Sequence, residues 1–144
     1  MAINYIVGCD GSHSSKRAID FAIAQASSSG ATVTLACILE WSPYSFLTPE
    51  ELEERHKRRN EELERAKAAI VDPVLESLAD SGVKVDSTIR YGHVAETLSS
   101  IADELEAEQI FVGRTGHSSI TSRLFGSVAS TMSQISKVPC TIVP

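Results

Sequence analysis

Three glycines and a serine punctuate one polar stretch, Gly113-Arg-Thr-Gly116-His-Ser-Ser-Ile-Thr-Ser-Arg-Leu-Phe-Gly126-Ser127. Glycine lets backbone N–H groups come close to an anion and take up positive φ. Gly126-Ser127 directly precedes a helical spacing of apolar residues, Val128, Met132 and Ile135. Free N–H groups and the positive end of a helix dipole would therefore point at one anion, and phosphate is the anion such an arrangement suits. Ser127 is placed to donate its hydroxyl to a phosphate or to cap that helix. Arg114 and Arg123 could neutralise phosphate charge and His117 could hydrogen-bond to it; as loop residues all three could equally stand in solvent. The spacing fits neither the dinucleotide fingerprint nor the Gly-x-x-x-x-Gly-Lys-Ser/Thr phosphate loop, and the plain alternative is that the glycines make turns.

A second group of polar residues, Asp10-Gly11-Ser12, follows the apolar run at the N-terminus. Asp10 is a candidate ligand contact, and its alternative role is to shape the turn and cap the next helix. Cys9 lies beside it, but no Cys-x-x-Cys partner points to redox chemistry. His13, His56, His93 and His117 form no metal-ligand spacing with cysteine or acid, and no Gly-x-Ser-x-Gly elbow is present. No catalytic residue is assigned.

The elements that would position these residues alternate along the chain. Apolar runs at Ala2–Cys9, Thr32–Leu39 and Gln109–Val112 read as strands, with Val83–Ile89 as a more exposed one and Pro139–Val143 as the last. The near-continuous apolarity of Thr32–Leu39 suits a parallel strand buried on both faces. Ala18, Ile19, Ala22, Ile23 and Ala26 mark a helix over Ser14–Ser29, ended by Gly30. Trp41–Leu47 reads as a loop, from which Trp41 and Tyr44 could cover a crevice or pack locally. Thr48-Pro49-Glu50-Glu51 then offers a capping box. In the helix it opens, Glu51/Arg55, Glu54/Arg58 and Glu61/Arg65 stand at i,i+4. Its apolar stripe runs Leu63, Ala66, Ile70, Val74 and Leu78; Pro73 should kink or split the segment, and Gly82 should close it. Ala95, Leu98, Ile101, Ala102 and Leu105 give the next helix one apolar face.

This β-α alternation implies one α/β domain over residues 1–144, a five-stranded parallel sheet with helices on both faces. In such sheets ligands bind beyond the carboxyl ends of strands, where strand order reverses. For the order 3-2-1-4-5 that crevice lies between strands 1 and 4, and the loops beginning at Gly8 and Gly113 would face each other across it.

The 144 residues suffice to bury a core without disulfides or metal. A net charge of −6 argues against nucleic-acid and membrane partners. The N-terminal residues Met1–Ser12 carry no charged n-region and no apolar stretch long enough to read as a signal peptide, and no apolar run reaches transmembrane length. Cys9, Cys37 and Cys140, odd in number and far apart along the chain, read as buried thiols in a reducing compartment. The expectation is a cytoplasmic protein.

The spacing Gly113-x2-Gly116-x9-Gly126-Ser127 resembles the signature of the nucleotide-binding branch of the universal stress protein family. Val7-Gly8-Cys9-Asp10-Gly11-Ser12 resembles that family's first strand ending, and Val138-Pro139-Cys140-Thr141-Ile142-Val143 its last strand. The resemblance implies an adenine nucleotide alpha hydrolase-like (Rossmann-like) sheet of order 3-2-1-4-5 and a homodimer paired through strand 5, Cys140–Val143. It places Asp10 on the ribose or adenine edge, with Cys9 adjacent, and the backbone of Ile38 on the adenine. Val112 and Gly113 would line base and ribose; Gly116, Gly126, Ser127 and Val128 would line the phosphates, with Arg114 and His117 in reach. Ala129 stands where Thr or Ser is frequent, which removes one hydroxyl from the phosphate side.

The implied ligand is ATP, AMP or cyclic AMP, with Asp10 the candidate contact for an accompanying Mg²⁺. The implied role is a nucleotide-binding regulator acting through its dimer or an unidentified protein partner, with Trp41–Leu47 and the helix from Thr48 as contact surfaces. The rival readings are a slow ATPase or phosphotransferase and a scaffold with an empty site.

Overall fold

The computed structural model of the chain describes residues 2–40, 48–115 and 127–144. Five strands form one sheet: β1 (Asn4–Gly8), β2 (Thr32–Leu39), β3 (Val85–Tyr91), β4 (Gln109–Gly113) and β5 (Cys140–Val143). Their order is β3-β2-β1-β4-β5 and every pairing is parallel. The fold class and strand order expected from the sequence are therefore observed. Order reverses at β1, which lies between β2 and β4, and this fixes where a crevice can open.

Side chains alternate across β1. Tyr5 and Val7 join one core with Leu35, Phe111 and the small residues Ala18, Ala22 and Ala26 of α1 (His13–Ser29). Ile6 joins the other, with Val112, Leu98 and Ile101 of α4 (Val94–Glu104) and Met132 of α5 (Ser127–Ile135). Both faces of the central strands are thus covered, as their continuous apolarity requires. Tyr5 packs edge-on to Phe111 with ring centroids 5.3 Å apart. Gly30 ends α1 at φ 75°, as read from the sequence.

The segment after residue 48 differs from expectation in phase. Thr48 caps α2 (Pro49–Ala66) by accepting a hydrogen bond from the Glu51 amide at 3.2 Å. Glu54 and Arg58 pair at 3.3 Å on its solvated face. A π-turn, Lys67–Val71, then joins α2 to α3 (Asp72–Ser77), with the Asp72 amide reaching back to the Lys67 carbonyl. Pro73 explains it, since it has no N–H and its ring crowds the carbonyl four residues earlier. The extra residue per turn moves the buried face on by one position, so Val71, absent from the expected stripe, is 0% exposed while Ile70 is only half-buried.

Expectations of boundary and of burial are corrected at several positions. The helix ends at Ser77 and not at Gly82; Gly82 (φ 78°) belongs to the turn beyond it, where the Ser81 hydroxyl accepts from the Val83 amide. The third strand runs Val85–Tyr91 instead of Val83–Ile89, because that turn consumes Val83 and the ladder with β2 continues to Leu39↔Tyr91. Leu105 and Ile135, counted among the apolar helix positions, are 41% and 38% exposed; Leu105 is the C-cap of α4 and Ile135 the last residue of α5. Cys140 is half-buried, as a residue of an edge strand.

Two polar contacts fix the β3 side. Arg90 grips both Glu104 oxygens, at 2.9 and 2.7 Å. The Tyr91 hydroxyl donates to Glu62 at 2.5 Å and stands 3.3 Å from the Arg59 carbonyl, with the Arg59 guanidinium 4.7 Å from the ring centre. No helix among the described residues is long and apolar enough to cross a membrane.

Candidate functional site

Two strand ends form lips that flank the point where strand order reverses. The first is the end of β1. The Cys9 amide extends the ladder by donating to the Ala36 carbonyl at 2.9 Å. Asp10-Gly11-Ser12 then turns sharply, with Gly11 at φ 81°. Asp10 Oδ1 accepts from the Ser12 amide at 2.9 Å, and Ser12 Oγ accepts from the Ser15 amide at 3.1 Å as the N-cap of α1. Asp10 therefore shapes the turn while Ser12 caps the helix. Half-buried Asp10 makes no side-chain bond beyond Ser12 among the described residues, and its second oxygen is left for another partner.

The second lip is the end of β4. Val112 is buried in the α4/α5 core, and Gly113 pairs with Val143. The Arg114 amide donates to the Val143 carbonyl at 2.8 Å, and its side chain is exposed. The Thr115 amide donates to Ser14 Oγ at 3.3 Å. Gly113 sits against Ser14, whose carbonyl carbon would lie 2.8 Å from any Cβ at 113. Glycine is required there by the approach of α1, a reason separate from phosphate binding.

The other residues singled out in the sequence distribute as follows. Ser127, exposed, opens α5, and half-buried Val128 packs toward the core. Ala129 is 1% exposed among Ile6, Ile110 and Met132, so its methyl faces the core and only its backbone could serve a ligand. Ile38, half-buried, lies one residue from the end of β2 in register with Arg90. Gly116, His117, Arg123, Gly126, Trp41 and Tyr44 lie outside the described residues.

Cys9 is 4% exposed with its side chain in the α1 core, so it too can offer a ligand only its backbone. The register pairing Gly8 with Ala36 brings it beside Cys37 of β2. Burial pushes the Cys9 thiol up against the opposing pull of the Gly11 amide and Ser15 hydroxyl. Burial pushes Cys37 up to about 11, with Cys9 and Asp10 adding to the rise. Both are neutral thiols at neutral pH.

Sequence reasoning missed Ser14 and Ser15. Both are buried, at 3% and 4% exposure. The signal was present in the spacing: Ser14/Ala18/Ala22 and Ser15/Ile19/Ala22/Ala26 put two serines on the apolar face of α1. No cluster of three or more His, Cys, Asp or Glu side chains able to hold a metal ion occurs among the described residues. An open hollow of about 340 Å³ lies between α2 and β3, lined by Leu63, Lys67, Ser87 and Thr88, two strands away from β1.

Comparison with known proteins places this geometry in a family. A model described as the universal stress protein family matches residues 4–144. A universal stress protein of Mycobacterium tuberculosis (strain H37Rv) is 33% identical over 146 residues, covering 96% of this chain and 93% of that protein. The UspA structure from Lactobacillus plantarum superposes with a TM-score of 0.86 at 23% identity, covering 99% of this chain and 97% of its own, a likeness of fold. The crystal structure of a universal stress protein in complex with cAMP has a TM-score of 0.62 at 30% identity, covering 99% of this chain and 96% of that one.

Proposed function

The chain belongs to the universal stress protein family, and on that premise we propose that it binds an adenine nucleotide between the β1 and β4 lips and acts as a nucleotide-responsive regulator. The observation that carries the reading is the meeting of the Asp10 turn and the Gly113–Thr115 backbone at the first turn of α1, where Asp10 and Thr115 bond to adjacent serines; in this reading the start of α5 at Ser127 completes the site. Free amides at a helix start favour phosphate oxygens, and the carboxylate of Asp10 suits ribose hydroxyls, which donate to it. A related protein crystallised with cAMP supports an adenine ligand.

In this reading Asp10 faces the ribose or adenine edge and the Ile38 backbone faces the base. Val112 and Gly113 line base and ribose. Gly116, Gly126, Ser127 and the backbone of Val128 and Ala129 take the phosphates, assisted by Arg114 and His117. AMP, cyclic AMP and ATP are the candidate ligands, and Asp10 is the group that would meet a Mg²⁺ arriving with the phosphates. A bound nucleotide regulates only if it favours one state over another. The structural element available for this is β5, which among the described residues pairs with β4 on one side only. Its other edge is where a second copy would pair.

The experiment is mass spectrometry of small molecules released on denaturing the freshly purified protein, beside a Gly116→Val/Gly126→Val variant. An adenine nucleotide recovered from the wild type and absent from the variant supports the proposal. An empty protein that also ignores added AMP, cyclic AMP and ATP defeats it.

A further inference from the structure

Among the described residues three polar side chains are buried, and two of them are consecutive, Ser14 and Ser15 in the first turn of α1. Burying a hydroxyl is unfavourable unless it is hydrogen-bonded, so the partners of this pair show what the hydroxyls are for. Ser15 Oγ accepts from the Asp10 amide at 3.1 Å and donates to the Gly8 carbonyl at 3.3 Å. Ser14 Oγ accepts from the Thr115 amide at 3.3 Å. One serine holds the β1 lip and its neighbour holds the β4 lip, although the lips are separated by about a hundred residues of chain.

The helix that carries the two serines is itself fixed. Ser12 caps it, and Ala18, Ile19, Ala22 and Ala26 pack it on the sheet. Gly113 lacks the side chain that would push Ser14 away. Neither lip needs these hydroxyls for its strand pairing, because Cys9 and Arg114 already complete the ladders with Ala36 and Val143. What the hydroxyls add is a fixed spacing between the Asp10 turn and the residue that leads into Gly116.

We infer that Ser14 and Ser15 are positioning residues, a two-armed clip through which the first turn of α1 sets the width of the nucleotide crevice, with Ser15 serving the ribose side and Ser14 the phosphate side. The inference rests on the nucleotide reading above, and it assigns each serine a different part of the ligand.

The test uses Ser14→Ala and Ser15→Ala in the full chain, with Ser14→Cys and Ser15→Cys as near-isosteric companions that retain a buried group but accept hydrogen bonds weakly. Amide hydrogen exchange is read at Asp10 and Thr115, and affinity is measured for adenosine, AMP and ATP. Losing the Ser14 arm should speed exchange at Thr115 and not at Asp10. It should weaken AMP and ATP about threefold to tenfold, the range expected for one hydrogen bond, while adenosine is unaffected. Losing the Ser15 arm should speed exchange at Asp10 and weaken all three ligands by a similar factor. A Ser14 variant that leaves Thr115 exchange unchanged, or variants that weaken adenosine and ATP equally at both positions, would overturn the clip while wild-type binding stands. A wild type that binds none of the three ligands defeats the nucleotide reading itself and the positioning role with it.

Discussion

Gly113 and Ser14 approach so closely that a Cβ on Gly113 would stand 2.8 Å from the carbonyl carbon of Ser14 and 2.8 Å from its Cβ. Gly113→Ala must therefore move the start of α1 or the end of β4. An overpacked contact of this kind costs about 1–3 kcal/mol, to be read from the urea midpoint. Gly30→Ala is the control, since open space surrounds that position and only its φ of 75° is strained, at about 1–2 kcal/mol. The two differ in reach: Gly113→Ala should shift the amide resonances of Ser14 and Thr115, and Gly30→Ala should leave both in place.

Leu98 and Leu105 lie seven residues apart on α4 and its C-cap, yet one is fully buried and the other 41% exposed. Leu98→Ala should cost about 2–5 kcal/mol through the cavity it leaves. Leu105→Ala should cost less than about 1 kcal/mol. Equal losses in chemical denaturation would mean that the C-terminal end of α4 packs differently.

The three cysteines should separate by reactivity. Cys9 and Cys37 are buried neutral thiols, while Cys140 is half-buried on the β5 edge. Brief alkylation at pH 7.5 followed by peptide mass spectrometry should modify Cys140 first, with Cys9 and Cys37 reacting only as the protein opens. If the β5 edge is paired with a second copy, Cys140 should become more reactive on dilution.

Cys37 also sets an alkaline limit. Its folded thiol titrates at about 11 against an ordinary value of 9.0. The unfolded chain therefore loses its proton first as pH rises. The stability linked to this group is complete below pH 9 and is lost between pH 9 and about 11. Thermal unfolding across that window should show a steeper decline for the wild type than for Cys37→Ala, and parallel curves would mean that the thiol is not held neutral by the fold.

Much of this was legible in the sequence because local and tertiary signals agreed. The apolar run Thr32–Leu39 is β2 to the residue, Gly30 ends α1, and Thr48 caps α2. The reversal point followed from alternation together with the family resemblance. What periodicity could not show was phase. Pro73 is accommodated by a π-turn that carries burial from Ile70 to Val71, which a fixed spacing of 3.6 does not anticipate. Serine is ambiguous in a sequence, so Ser14 and Ser15 read as the polar start of a helix until their long-range partners are known. The nearness of Cys9 to Cys37 likewise depends on strand register, which composition does not carry.

The measurement that bears most directly on the central claim is an amide NMR titration of the protein with AMP. Saturable shifts at Asp10, Gly113, Thr115 and Ser127, with residues of β3 undisturbed, are the expected result. An unchanged spectrum at millimolar AMP, or shifts confined to Leu63, Lys67, Ser87 and Thr88 beside the hollow under α2, would contradict a nucleotide site between β1 and β4.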